Sequence, residues 1–222
     1  MIKEIYVYGA GGLGKEVKML IDQINHQEPT WEIKGFIDDD KEKRGNVVIE
    51  NYKVVGDIDF ILSSEKEFDL VLAMGNVFDK EKAYEKIKSK ENVFFPNIVH
   101  PTAIIEEKTL KLGIGNILAT NCVISTNTAL GDFNYIHMQT LLAHDIQMGS
   151  FNSVFPGSAI AGNVIVGDYC EMGLGSSIKQ NVEVGSNIRV GGGSFVMSNL
   201  ESNYSYLGVP AKKIFKLKEL EK

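Results

Sequence analysis

Every sixth residue from Leu112 to Val196 is aliphatic: Leu112, Leu118, Ile124, Leu130, Ile136, Leu142, Met148, Val154, Ile160, Val166, Met172, Ile178, Val184, Val190 and Val196. If about a quarter of residues are Ile, Leu, Val or Met, chance gives a run this long at about one in 10^8. A helix repeats every 3.6 residues and a strand every two, so neither alone holds a period of six. A coiled solenoid does, and the hexapeptide β-helix has this spacing. The residue after the aliphatic one is usually small, as at Gly113, Ala119, Ser125, Gly131, Ala143, Gly149, Ala161, Gly167, Gly173, Gly185 and Gly191. That pattern predicts the bend between flat faces at this position, where glycine is permissive. Four residues after the aliphatic position, Cys122, Thr128, Thr140, Ser158, Cys170, Ser176 and Ser194 are predicted to point inward. Three hexads make a triangular coil of 18 residues, and the run makes five coils. His137, Phe155, Lys179 and Met197 fill the small slot in four hexads. They are expected to project outward or against a neighbouring subunit.

A different pattern precedes the repeat. Ile5 to Tyr8 reads as a buried strand, and Gly9-Ala10-Gly11-Gly12-Leu13-Gly14 matches G-x-G-x-x-G. Lys15 to Gln23 has helical spacing through Val17, Leu20 and Ile21. Strands are predicted at Ile33 to Ile37, Leu70 to Ala73 and Val93 to Phe95, with a charged amphipathic helix over 79–90. Alternating strands and helices predict a small Rossmann-like parallel sheet. The fold class is therefore an α/β N-terminal domain at 1–98, a parallel β-helix at 99–203 and a short C-terminal helix within 204–222.

The glycine loop offers backbone N–H groups at a helix N-terminus, which suits a pyrophosphate. Asp38 lies 24 residues past Gly14, where a ribose-binding carboxylate is expected. Alone, this suggests a nicotinamide oxidoreductase. Fewer than 100 residues make only half of such a fold, so a nucleotide or nucleotide-sugar pocket is the better reading. In the alternative, the glycines only permit close strand–helix packing.

The chain carries a net charge of −6, which gives nucleic acid little support. Only 204–222 is basic, with five lysines (Lys212, Lys213, Lys216, Lys218, Lys222) against two glutamates. This is either a local field for a phosphorylated ligand or a solvated helix. No apolar run is long enough to span a membrane, and MIKEIYVYGAGG is not a signal peptide. Cys122 and Cys170 are 48 residues apart, which is not a whole number of coils, so no disulfide is expected. A cytoplasmic setting fits.

Four histidines are candidates for chemistry. His26 in a polar loop and His100 before Pro101 look incidental. His144 falls at a corner of the coil, where side chains can face outward, and Asp145 follows it. A free imidazole titrates near pH ~6.5, so an exposed histidine suits general base work. The rival is a surface histidine with no task. Zinc, which gamma carbonic anhydrases hold on this scaffold with three histidines, lacks ligands here. His137 and His144 are seven apart, with no third histidine on the prism.

Together, the short Gly-rich domain, the hexapeptide repeat, the corner His-Asp and Gly208-Val209-Pro210-Ala211-Lys212 resemble one family. It is the bacterial sugar acetyltransferases that include the bacillosamine-pathway UDP-4-amino-sugar N-acetyltransferase, the perosamine N-acetyltransferases and the sialic acid O-acetyltransferases. The most specific segments are Leu141 to Gly149, Ala161-Gly162-Asn163, Val190 to Gly193 and GVPAK. The resemblance implies a left-handed coil, a homotrimer and acetyl-CoA as co-substrate without metal. It implies direct acetyl transfer to the amino group of a nucleotide-linked 4-amino sugar at a subunit interface. His144 is then the base and Asp145 its acidic neighbour. Gly11, Gly12, Leu13, Asp38, Asp39 and Gly75 match positions lining the nucleotide-sugar pocket. Ser153, Gly162, Leu174 and Gly192 are the cofactor-groove candidates, with Ser153 standing where some relatives have a second histidine. Sialic acid or other sugar O-acetylation is the alternative, and a non-catalytic nucleotide-sugar-binding protein a more distant one.

Overall fold

The computed structural model describes residues 2–218, which form two compact units meeting in sequence at Pro101/Thr102. In the first unit the expected strands and helices form: β1 (Lys3–Tyr8), α1 (Gly12–Gln27) and β2 (Trp31–Ile37). A hairpin of β3 (Val47–Ile49) and β4 (Tyr52–Gly56) and the short α2 (Ile58–Ser63) follow, unforeseen in the sequence. Then come β5 (Phe68–Leu72), α3 (Val77–Ile87) and β6 (Val93–Phe94). The sheet order is β3-β4-β2-β1-β5-β6, parallel except for the β3–β4 pair. Central strands of such a sheet are covered on both faces and read as apolar runs; every residue of β5 is buried. Val17, Leu20, Ile21 and Ile24 form the buried stripe of α1.

The second unit is a three-sided parallel β-helix of the left-handed hexapeptide kind. Its first face stacks Ile104–Ile105, Val123–Ile124, Leu141–Leu142, Ala159–Ile160, Ser177–Ile178 and Phe195–Val196. The second stacks Lys111–Leu112, Ala129–Leu130, Gln147–Met148, Ile165–Val166 and Glu183–Val184. The third carries Ile117–Leu118, Tyr135–Ile136, Ser153–Val154, Glu171–Met172 and Arg189–Val190. Each pairing advances by one 18-residue coil, except the first on the first face, where Ile104–Ile105 and Val123–Ile124 are 19 apart. From Leu118 to Val196 every aliphatic position of the series is buried; Leu112, in the first coil, is half-buried.

Three expectations need correction. The bend does not lie at the small residue after the aliphatic one. It lies two residues later, where Asn121, Asn127, Phe133, Gln139, Asp145, Phe151, Asn163, Tyr169, Asn181 and Asn187 hold φ between 53° and 60°. The small residue is small because of stacking. A Cβ on Gly131 would sit 2.8 Å from the Gly149 carbonyl carbon, and one on Gly149 2.9 Å from the Gly167 oxygen. His137, secondly, is buried rather than projecting. It stacks on Tyr135 with ring centroids 3.6 Å apart and on Phe155 at 5.0 Å; Lys179 and Met197 are exposed as expected. Thirdly, the C-terminal segment is not helical through Lys216. Tyr204–Leu207 extends the third face, pairing parallel with Arg189–Val190, and Lys212–Lys216 folds back antiparallel on it. Tyr206 continues the buried column, and Pro210, without an N–H, favours the turn between the strands. Lys222 and residues 219–221 lie outside the described residues.

The inward slot four residues after the aliphatic position is buried throughout, as expected. In its third-face column Asn116, Asn134 and Asn152 form a wholly buried amide ladder. Asn134 Nδ2 donates to Asn116 Oδ1 at 3.1 Å and Asn152 Nδ2 to Asn134 Oδ1 at 3.0 Å. Cys170 ends the ladder, its N–H donating to Asn152 Oδ1 at 2.7 Å. Both cysteines are free, and burial pushes each thiol up to about 12.

Candidate active site

The corner between the first and second faces carries a column of polar residues 18 apart: Asn127, Asp145, Asn163 and Asn181. Each is in the left-handed region that asparagine and aspartate tolerate best among side-chain-bearing residues. Asn163 Nδ2 donates to Asn181 Oδ1 at 2.7 Å, and Asn127 Nδ2 to Asp145 Oδ1 at 2.5 Å. Asp145 interrupts the amide chain. Its Oδ2 is free to take His144 Nδ1 at 2.7 Å. The Asn127 amide first, and then His144, hold the Asp145 carboxyl below the usual carboxylate range. An ionised carboxylate only accepts, so the neutral His144 carries its proton on Nδ1 and presents a lone pair on Nε2. The His144 side chain is 63% exposed, so that lone pair is accessible.

Gly162, one coil on, supports the ring. A Cβ there would lie 2.5 Å from Nε2 and 3.0 Å from Nδ1 of His144. The Asn163 N–H also donates to the His144 carbonyl at 2.9 Å. Gly162, expected in the cofactor groove, therefore touches His144. Beside Asp145 on the second face runs a groove of about 720 Å³ whose walls include Lys111, Asn127, Gln147 and Ile165.

The other cofactor candidates lie elsewhere on the prism. Leu174 and Gly192 meet at the edge between the third and first faces, where a Cβ on Gly192 would sit 3.1 Å from the Leu174 carbonyl. Leu174 is 64% exposed. The same edge carries Gly157, Gly175 and Gly193, each at positive φ with nothing within 4 Å of a Cβ. It is a bare strip of backbone; the sequence reading singles out Gly193, within Val190 to Gly193, but not Gly157 or Gly175. Ser153 is buried on the third face and is not brought to His144 within the prism.

In the first unit, a cavity of about 320 Å³ opens at the carboxyl ends of β1, β2 and β5. Of the six expected substrate residues, Asp38 and Asp39 line it. Tyr8, Met74, Lys82 and Lys86 join them and were not foreseen; their spacing carries no motif. Asp39 Oδ2 accepts from the Tyr8 hydroxyl at 2.7 Å and Oδ1 from the Ile58 N–H at 3.0 Å. Burial and this carboxylate push the Tyr8 hydroxyl pKa upward. Asp38 Oδ2 accepts from Ala10 N–H and Lys43 Nζ, each at 3.0 Å, and Oδ1 from Asp40 N–H at 3.0 Å. Burial opposes ionisation of Asp38, but these donors outweigh it and hold the carboxyl below its ordinary value. Asp38 thus braces the glycine loop, which weakens its expected role as a ribose acceptor.

The glycine motif divides in two. A Cβ on Gly14 would collide with the Gly9 carbonyl, and one on Gly9 with the Ala73 carbonyl, so these two serve close packing. Gly11 and Gly12 have nothing within 4 Å and, with Leu13, form the uncapped start of α1. They lie outside the cavity lining, as does exposed Gly75. Among the described residues no group of three metal-ligating side chains occurs, and no helix is long and apolar enough to cross a membrane.

Comparison with known proteins agrees with this geometry. Residues 4–87 match the PglD N-terminal domain. No curated protein matches in sequence. Among solved structures, the acetyltransferase domain of PglB from Neisseria gonorrhoeae is 25% identical, with a TM-score of 0.86. The match covers 96% of this chain and all of that one, and that domain has also been solved with acetyl coenzyme A. PerB from Caulobacter crescentus, in complex with CoA and GDP-perosamine, is 25% identical with a TM-score of 0.85, over 97% and 99% of the two chains. WeeI from Acinetobacter baumannii is 25% identical with a TM-score of 0.83, over 95% and 99%.

Proposed function

We propose that this chain, an acyltransferase resembling the hexapeptide-repeat sugar acetyltransferases, moves acetyl from acetyl-CoA to the amino group of a nucleotide-linked 4-amino sugar. The observation that carries this is the exposed His144 imidazole, with Nδ1 fixed on Asp145 and Nε2 free. The bare glycine edge beside Leu174 and Gly192 suits an extended thioester arm, because no side chain at Gly157, Gly175 or Gly193 keeps a chain from lying close along the backbone. The N-terminal unit supplies the nucleotide contacts through Asp39, which lines its cavity, and the uncapped start of α1, while Asp38 holds the glycine loop in place. The relatives solved with acetyl coenzyme A, and with CoA and GDP-perosamine, support the same pair of substrates.

In this reaction the neutral sugar amine attacks the thioester carbonyl carbon. His144 Nε2 takes the proton that the amine sheds as the C–N bond forms. Backbone N–H groups of the coil steady the oxyanion. The C–S bond then breaks, and the imidazolium returns its proton to the departing thiolate. Asp145 stays ionised throughout and stabilises the transient imidazolium. Buried thiols pushed up to about 12 argue against an acyl-cysteine intermediate. Adjacent copies in a trimer enclose the cleft.

A panel of UDP-, GDP- and dTDP-linked 4-amino sugars and free sialic acid, incubated with acetyl-CoA and assayed for free thiol, tests this. Thiol release with an amino sugar nucleotide is expected. Release with sialic acid alone would favour O-acetylation, and no release with any acceptor would overturn the proposal.

A further inference from the structure

The column that holds Asp145 continues below it. Asn127 stands one full coil earlier, in the same left-handed conformation, with φ 56° against 58° for Asp145. Its own backbone is pinned by Thr109, whose Oγ1 accepts the Asn127 N–H at 2.8 Å. Its side-chain amide donates to Asp145 Oδ1. Above Asp145, the Asn163–Asn181 bond continues the ladder without touching the carboxylate. Asp145 is thus gripped from below by an amide N–H and, through its second oxygen, grips the imidazole.

We propose that Asn127 is a positioning residue for the acetyl transfer. It fixes the rotation of the Asp145 carboxylate, and through it the Nδ1–H tautomer and direction of the His144 ring. This rests on the reading of His144 as the base. A carboxylate that accepts only from His144 is free to turn about its side-chain bonds, because both residues are exposed. The Asn127 bond removes that freedom before substrate arrives, which is the geometric condition for efficient proton transfer. The charged and titratable groups facing Asp145 are His144 beside it and Lys111 across the second-face groove.

The test compares Asn127→Ala with Asn181→Ala. Both remove an asparagine from the same edge at nearly the same φ (56° and 60°), so the backbone cost is matched. Only the first touches Asp145. Asn127→Ala is expected to lower kcat by about 10- to 100-fold, with KM for both substrates unchanged; Asn181→Ala stays within about twofold of wild type. Nitrogen-15 spectra of His144 in the full-length protein need no substrate. They are expected to show the Nδ1–H tautomer in wild type and Asn181→Ala, and a shift toward Nε2–H in Asn127→Ala. Equal kcat and equal tautomers in both variants, with His144→Ala inactive, would overturn the role of Asn127 while leaving His144 as base. An active His144→Ala would instead refute the base assignment itself.

Discussion

Gly162→Ala tests how the imidazole is supported. The added methyl would sit 2.5 Å from Nε2 and 3.0 Å from Nδ1 of His144, closer than carbon and nitrogen tolerate. Gly162 is not among the positive-φ glycines, so alanine is acceptable to the backbone there. The imidazole, 63% exposed, swings outward and its 2.7 Å bond to Asp145 is lost. Losing the group that orients a general base removes much of the rate that base supplies, so kcat falls about 10- to 100-fold. Because the ring escapes into solvent, the fold loses less than about 1 kcal/mol. The assay is thiol release at saturating acetyl-CoA and acceptor, with thermal unfolding alongside. Combined with His144→Ala, the change should cost nothing further, since both act through one group. A Gly162→Ala enzyme within twofold of wild type, or a double variant well below His144→Ala, would refute this support role.

Other outcomes follow from the fold. Asn152→Ala removes the acceptor for the Cys170 N–H and breaks the buried ladder, so it should destabilise by about 2–4 kcal/mol in urea titration. Cys122 and Cys170, both buried and pushed up to about 12, should resist a disulfide-exchange reagent at pH 8 until the protein is unfolded. Burial pushes Lys80 down to about 8. Its unfolded form holds the proton more tightly, so the cost of burying this group fades and stability rises as pH goes from about 8 toward the ordinary lysine value. Lys80→Met should remove that slope from a denaturation series between pH 7 and 10, and an unchanged slope would contradict it.

The prism was legible because its core repeats at a period no other element shares, and the same spacing located His144 at a corner. The details depend on coil stacking, which a six-residue window does not show. Small residues such as Gly131 looked like bend formers, yet they avoid the coil above, while Asn127 and Tyr169 make the bends. His137 read as projecting, and only the neighbouring Tyr135 and Phe155 rings reveal why it is buried. The Asn127–Asp145 and Asn116–Asn134–Asn152 ladders become visible once residues 18 apart are aligned. The β3–β4 hairpin escaped notice because its strands are short and its turn, Glu50-Asn51, lacks the usual Asn-Gly signal. Lysines among 212–216 suggested a solvated helix, but that stretch completes the sheet of the third face.

The most direct measurement is turnover of His144→Ala with a 4-amino sugar nucleotide and acetyl-CoA, alongside calorimetric affinity for the sugar nucleotide. A fall in kcat of about 10^2-fold or more, with affinity unchanged, is predicted. Turnover within threefold of wild type would contradict the assignment of His144 as the base.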